Sequence, residues 1–163
     1  VALERAALQL LRNGEARAAY REYAREGRIH VAESVAERRA EVVAAHARLE
    51  AGGLDAVMLA HRRDEVAALN ELARATAVAD GRVQGAALTV AGREYQVGDR
   101  VICLANDRSG GVSNGTRGVV ASVDVERHML TLERSDQRPV TIDTSAYDAI
   151  DRGYAMTVHK MGL

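Results

Sequence analysis

Two short apolar runs, Ala56-Val-Met-Leu-Ala60 and Tyr154-Ala-Met-Thr-Val158, stand some ninety residues apart in this chain. Neither shows the strict alternation of a strand with one wet face, so both read as strands covered on two sides, as in parallel sheets. If both lie in one sheet, the chain between them must leave that sheet and return. A helical pattern follows the first run, with Val66, Leu69, Ala73 and Ala77 on one face. A strand–helix order of this kind implies parallel strands joined by right-handed crossovers.

After about Ala87 the pattern changes. Turn signals recur at Ala91-Gly92, Val97-Gly98-Asp99, Gly110-Gly111 and Asn114-Gly115. Between them lie short β-type runs at 88–90, 100–104, 119–123, 129–132 and 140–142. Five short strands over some fifty residues predict a small β-barrel, Src-homology-3-like in kind, inserted into the α/β layer. Pro139, the single proline, belongs at the start of an edge strand, since it has no N–H for a ladder. The expected organisation is an α/β part over 1–87, the inserted barrel over 88–146 and a return strand within 147–163.

The amino-terminal part is rich in Ala, Leu, Arg and Glu. Leu3, Ala7 and Leu10 share a helical face that Asn13-Gly14 interrupts; Ala16, Ala19, Tyr20 and Tyr23 mark a second helix, ended by Gly27. A short strand is expected at 28–32. Ser34 followed by Glu37 forms a capping box for a third helix, whose Val35, Val42 and Leu49 fall on one stripe before Gly52-Gly53 end it.

Hydrophobic residues make up 47% and charged residues 28% of the 163, enough to bury a core that must be aliphatic, because Phe and Trp are absent. A net charge of −1 provides no general attraction to nucleic acid, and neither half departs from neutrality, so any DNA contact has to come from local groups. Cys103, the single cysteine, sits in the apolar Val101-Ile-Cys-Leu104 and reads as a buried reduced thiol. With no disulfide partner, no secretory leader and no membrane-length apolar stretch, a cytoplasmic protein is expected. The chain begins at Val1 and stops just after an apolar strand, so both ends read as cuts through a longer protein.

No phosphate-binding loop of the form G-x-x-x-x-G-K-[ST] is present, because Lys160 is the only lysine and lacks the preceding glycines. No cysteine pair occurs, and His30, His46, His61 and His128 lack the spacing of a metal site. The informative stretch is the end of the second apolar run. Thr157, His159, Lys160 and Gly162 would place a hydroxyl, an imidazole, an ammonium and free backbone N–H groups at the carboxyl edge of a sheet, where phosphate groups bind. Polar strand ends are common to any α/β sheet, so this chemistry alone does not separate a site from a plain strand end.

Gly153-Tyr-Ala-Met-Thr-Val-His-Lys160 resembles the motif V strand of RecD-like superfamily 1 helicases, which typically reads Gly-Tyr-Ala-x-Thr-Val-His-Lys-x-Gln-Gly. Val57-Met-Leu-Ala-His-Arg-Arg-Asp-Glu-Val-Ala-Ala-Leu-Asn70 looks like the motif IV strand and helix of the same family. Tyr95-Gln-Val-Gly-Asp-Arg-Val101, Asn106 and Asn114-Gly-Thr-Arg-Gly118 look like the barrel between those motifs. Leu10-Leu-Arg-Asn-Gly14 and Gly27-Arg-Ile-His-Val-Ala-Glu33 are similar to the helicase part of conjugative relaxases. One departure stands out: Lys160-Met161-Gly162 is one residue shorter than Lys-x-Gln-Gly and lacks the glutamine.

The resemblance implies a piece of the second, RecA-like motor domain of an ATP-dependent, 5′-to-3′ DNA helicase, with a nicking domain elsewhere in the parent. Thr157, His159, His61, Arg62 and Arg63 are then the candidate DNA contacts, and Lys160 and Gly162 lie by the nucleotide cleft. Single-stranded DNA and the rest of the parent chain are the implied partners, with no membrane. ATP and Mg are implied for the parent and no cofactor for this piece, which would be inactive alone. Two rival readings are a non-catalytic adaptor whose barrel binds a protein, marked by an exposed apolar or Tyr-lined groove, and a small enzyme with a deep pocket of titratable groups.

Overall fold

The computed structural model describes residues 2–134 and 137–158. The chain divides into two compact units, Val1–Arg38 and Arg39–Leu163. In the first, α1 (Ala2–Arg12) and α2 (Ala16–Arg25) pack together, with Ala7 and Ala19 buried. Short side chains at these positions let two helices approach closely. α2 closes through the Arg28 N–H donating to the Tyr23 carbonyl at 2.9 Å. The strand expected at 28–32 is not formed. A strand exists only through the N–H and C=O partners a neighbour supplies. No strand among the described residues forms a ladder with this run, and its Val31 is 87% exposed.

α3 (Val35–Ala51) begins where the capping pair predicts. Ser34 Oγ accepts the Glu37 N–H at 3.1 Å, and the Glu37 carboxylate accepts a backbone N–H at 2.8 Å, from Glu33 rather than from Ser34 itself. The stripe expected to be apolar and covered is not the buried face. Val35, Val42 and Leu49 are exposed, while Val43 and His46 face inward. One residue along a helix is a rotation of about 100°, and Val43 is the position that meets the packed residues Met58, Leu69 and Tyr154.

β1 (Met58–Ala60) leads into α4 (Arg63–Ala79), whose Leu69, Asn70, Ala73 and Ala77 are buried. The antiparallel part follows: β2 (Gln84–Val90) pairs with β3 (Arg93–Val97), and β4 (Arg100–Cys103), β5 (Arg117–Asp124), β6 (Met129–Arg134), β7 (Gln137–Asp143) and β8 (Ile150–Arg152) form a second sheet in the order β7-β6-β5-β4-β8. β9 (Ala155–Thr157) then lies parallel to β1, with Met58 opposite Ala155 and Ala60 opposite Thr157. The two apolar runs therefore share a sheet despite the long excursion between them.

The expected closed barrel is not what the strands make. Two antiparallel sheets share one core, in which Leu88, Val90 and Tyr95 of the two-stranded sheet meet Val101, Val120, Leu130, Leu132 and Ile142 of the five-stranded one. No ladder among the described residues joins the two sheets. β8 is only three residues long, and Gly153 then turns the chain toward the parallel pair, so no strand continues along that edge. β7 forms the other edge and carries Pro139 at its third position, where a missing N–H can face outward. β3 and β8 were not expected as strands from the sequence; each is short and interrupted by charged residues.

Gly98 and Gly153 permit two of the close passages of this chain. A Cβ on Gly98 would lie 1.9 Å from the Arg82 carbonyl oxygen, and Gly98 has φ +93°. A Cβ on Gly153 would lie 2.8 Å from the Val101 carbonyl, against which the chain passes as it leaves β8 for β9. Among the described residues no helix is long and apolar enough to cross a membrane.

Candidate nucleic-acid interface

Parallel pairing brings the carboxyl ends of β1 and β9 to one edge. His61 follows β1 directly, Arg63 opens α4, and Thr157 ends β9 opposite Ala60. These three line one groove of about 560 Å³, together with Asn70 and Glu71 of α4, Arg93 of β3, and Asp151 and Arg152 of β8. Ile102, Leu104 and Met156 supply its apolar lining. Arg62 is placed differently. As the residue before α4 it points away to Asp64, with Nη2–Oδ2 at 2.7 Å, in a pair whose side chains are 75% and 64% exposed. That pairing raises the arginine pKa and lowers that of the Asp64 carboxyl, but an exposed pair is weak. His159, Lys160 and Gly162 lie outside the described residues.

Three features that pattern reading missed hold the groove in shape. The first is Asn70, buried on the apolar face of α4. Its Nδ2 donates to the Ala155 carbonyl at 3.2 Å and its Oδ1 accepts the Ala155 N–H at 2.8 Å. The Tyr154 carbonyl accepts the Met58 N–H, so the Ala155 groups point away from β1. A side-chain amide thus stands where the next strand's peptide would be. The available signal was a lone amide among Leu69, Ala73 and Ala77, because a polar group on a buried face needs partners.

The second is Asp99, fully buried in the β3–β4 turn. It accepts from Arg74 Nε at 3.0 Å, the Gln96 N–H at 2.8 Å and the Tyr154 hydroxyl at 3.1 Å, and Arg152 Nη1 lies 3.9 Å away. Burial first, and then the Asp99 charge, push the Tyr154 phenol well above its ordinary pKa, so its hydroxyl stays protonated and donates. The hub ties α4, the antiparallel part and β9 to one point. From sequence alone, Gly98-Asp99 reads as a turn pair and nothing more.

The third is the set of arginines themselves. Arg152 is 92% buried at its side chain, donates through Nε to Glu71 at 3.1 Å and keeps a buried Nη1 without a hydrogen-bond partner. Arg93 pairs with Asp151. On the other side of β4, Glu50 of α3 binds Arg100 and, at 2.9 Å, Arg82, with His46 Nε2 at 3.6 Å. Burial holds the His46 pKa below the usual imidazole value, against the opposing pull of Glu50. Cys103 is buried and its thiol pKa is raised by burial. Among the described residues no group of three or more metal-ligating side chains is placed to hold an ion.

No family model matches the chain. It is 35% identical over 108 residues to a probable conjugal transfer protein TraA of Sinorhizobium fredii, and 37% identical over 108 residues to the conjugal transfer protein TraA of Rhizobium radiobacter. In each case the match takes in 64% of this chain and 10% of the relative, so the chain spans about a tenth of the length of the curated relatives it matches. Among solved structures, unliganded Pif1 from a Bacteroides species aligns with 65% of this chain and 42% of its own at a TM-score of 0.45 and 16% identity. Bacteroides Pif1 bound to single-stranded DNA aligns with 66% and 32% at 0.45 and 15%. Structural similarity at that level establishes neither the fold nor an activity. The sequence similarity relates this chain to a segment of conjugal transfer proteins.

Proposed function

We propose that this chain is part of the helicase portion of a DNA-transfer protein, and that the groove at the β1–β9 edge binds the backbone of single-stranded DNA. The observation that carries the reading is the parallel β1–β9 pairing, which brings His61, Arg63 and Thr157 to one edge across the long excursion. Carboxyl edges of parallel strands are where α/β sheets receive phosphate-bearing ligands. The sequence similarity to conjugal transfer proteins supports the setting. In this reading the parent protein is a RecD-like, ATP-driven translocase moving 5′ to 3′, residues 1–87 and the final strand belong to its second motor domain, and the two antiparallel sheets are a Src-homology-3-like insert. ATP and Mg act in the parent with the phosphate-binding loop this chain lacks, and the chain alone is inactive. His159, Lys160 and Gly162 extend the same edge toward DNA and nucleotide.

The adaptor reading draws less support. Tyr95 is fully buried, and Tyr147 is half-buried against the core of the antiparallel part with its hydroxyl donating to the Ala105 carbonyl at 2.8 Å. The test is fluorescence anisotropy of a labelled oligothymidine with the pure chain. The expected result is weak binding that fades with added salt and falls further in Arg63→Ala, because a few phosphate contacts on a chain of net charge −1 have no long-range help. Tight, salt-insensitive binding, or no difference in Arg63→Ala, overturns the groove assignment. DNA-stimulated ATP turnover by the chain alone overturns the fragment reading.

A further inference from the structure

The groove's cations are not presented bare. Arg93 on β3 is paired with Asp151 on β8, and Arg152 on β8 gives its Nε to Glu71 on α4. Both acids line the same groove as the arginines they hold. Each carboxylate occupies the position that a phosphate oxygen would take on a guanidinium, since both anions accept N–H donors in the same planar fork. Glu71 is 63% exposed at its side chain, so it can turn to solvent once Arg152 is engaged elsewhere. Arg152 cannot follow, because its side chain is 92% buried and its Nη1 faces Asp99 at 3.9 Å. The arginine is fixed and its acid is free to leave. Asp151 is 36% exposed and also accepts the Arg152 backbone N–H at 2.7 Å, so there it is Arg93, 45% exposed, that turns to the phosphate.

We infer that Glu71 and Asp151 are internal competitors for the phosphate groups that enter this groove. They hold Arg152 and Arg93 in the empty state and are displaced by the nucleic-acid backbone. The inference rests on the groove being the DNA-binding site. It adds that affinity there is set by an exchange of carboxylate for phosphate. Such an exchange keeps net attraction low and makes release easy, as a strand that must move through the site requires.

The test measures oligothymidine binding by anisotropy for the unaltered chain, Glu71→Gln, Asp151→Asn, the double variant and Asp124→Asn. Asp124 is an arginine-paired acid at the end of β5, outside the groove. Amides keep the shape and one acceptor oxygen, so the fold is retained. Removing the competing carboxylate should tighten binding about two- to fivefold in each single variant. Each arginine that newly meets a phosphate should steepen the slope of log affinity against log salt by about 0.7. Asp124→Asn should change neither quantity. If the unaltered chain binds and Glu71→Gln and Asp151→Asn bind no better, the competitor inference is overturned while the groove assignment stands. Equal tightening in Asp124→Asn overturns it as well, because the effect is then one of overall charge. Absence of binding in every variant removes the groove assignment and this inference together.

Discussion

Replacing Asp99 by Ala should be the most damaging single change in the second unit. The carboxylate sits fully buried and accepts from Arg74 Nε, the Gln96 N–H and the Tyr154 hydroxyl. Removing it leaves the Arg74 guanidinium, 15% exposed, without its counter-charge. Breaking one side of a buried ion pair costs about 3–5 kcal/mol, mostly from the charge left behind. At about 3 °C per kcal/mol for a chain of this size, that is a fall in Tm of roughly 10–15 °C. Tyr154→Phe removes a single hydrogen bond to a charged acceptor, about 1.5–3 kcal/mol. Urea unfolding followed by circular dichroism on both single variants and the double variant completes a cycle. Because the hydroxyl loses its acceptor when Asp99 is gone, the two losses should fall short of additive by about 1–2 kcal/mol. The exposed Arg62–Asp64 pair supplies the contrast: Arg62→Ala should leave the urea midpoint essentially unchanged. A loss below about 1 kcal/mol for Asp99→Ala, or full additivity with Tyr154→Phe, refutes the hub.

Two further outcomes follow from the same packing. Asn70→Ala should destabilise by about 2–4 kcal/mol, since it strands the Ala155 N–H and carbonyl; amide hydrogen exchange at Ala155 should rise in step, and an unchanged exchange rate would contradict the surrogate-strand role. His46 should make the fold acid-sensitive. Its folded pKa is lowered by burial, so the unfolded chain takes up the proton first, and stability present above the unfolded value of about 6.5 is lost as pH falls toward the folded one. Urea midpoints taken from pH 7.5 to 5 should decline less steeply in His46→Gln, and identical slopes would remove His46 as the cause.

What can be read from the sequence by itself is whatever one element reports about its own burial. The apolar run of β9, the Leu69, Ala73 and Ala77 face of α4, and the Ser34–Glu37 cap are all written in spacings of a few residues. The run at β1 predicts its strand but not its cover, since Leu59 at its centre is 44% exposed. His61 could be placed on the β1–β9 edge because parallel strands align their carboxyl ends, whereas Arg62, expected beside it, turns to Asp64. Periodicity failed where burial depends on a distant partner. Val42 and Val43 are equally apolar neighbours, and only the packing of Met58 and Tyr154 beneath α3 decides that Val43 turns inward. The run at 28–32 has strand-like residues but, among the described residues, no strand beside it to complete a ladder. Asp99, Asn70, Glu71 and Arg152 are unremarkable as letters, and their roles arise from partners 25 to 85 positions away. Apolar burial is a property of each side chain and leaves a local trace, whereas a hydrogen bond or ion pair is a property of two groups, which only the folded chain brings together.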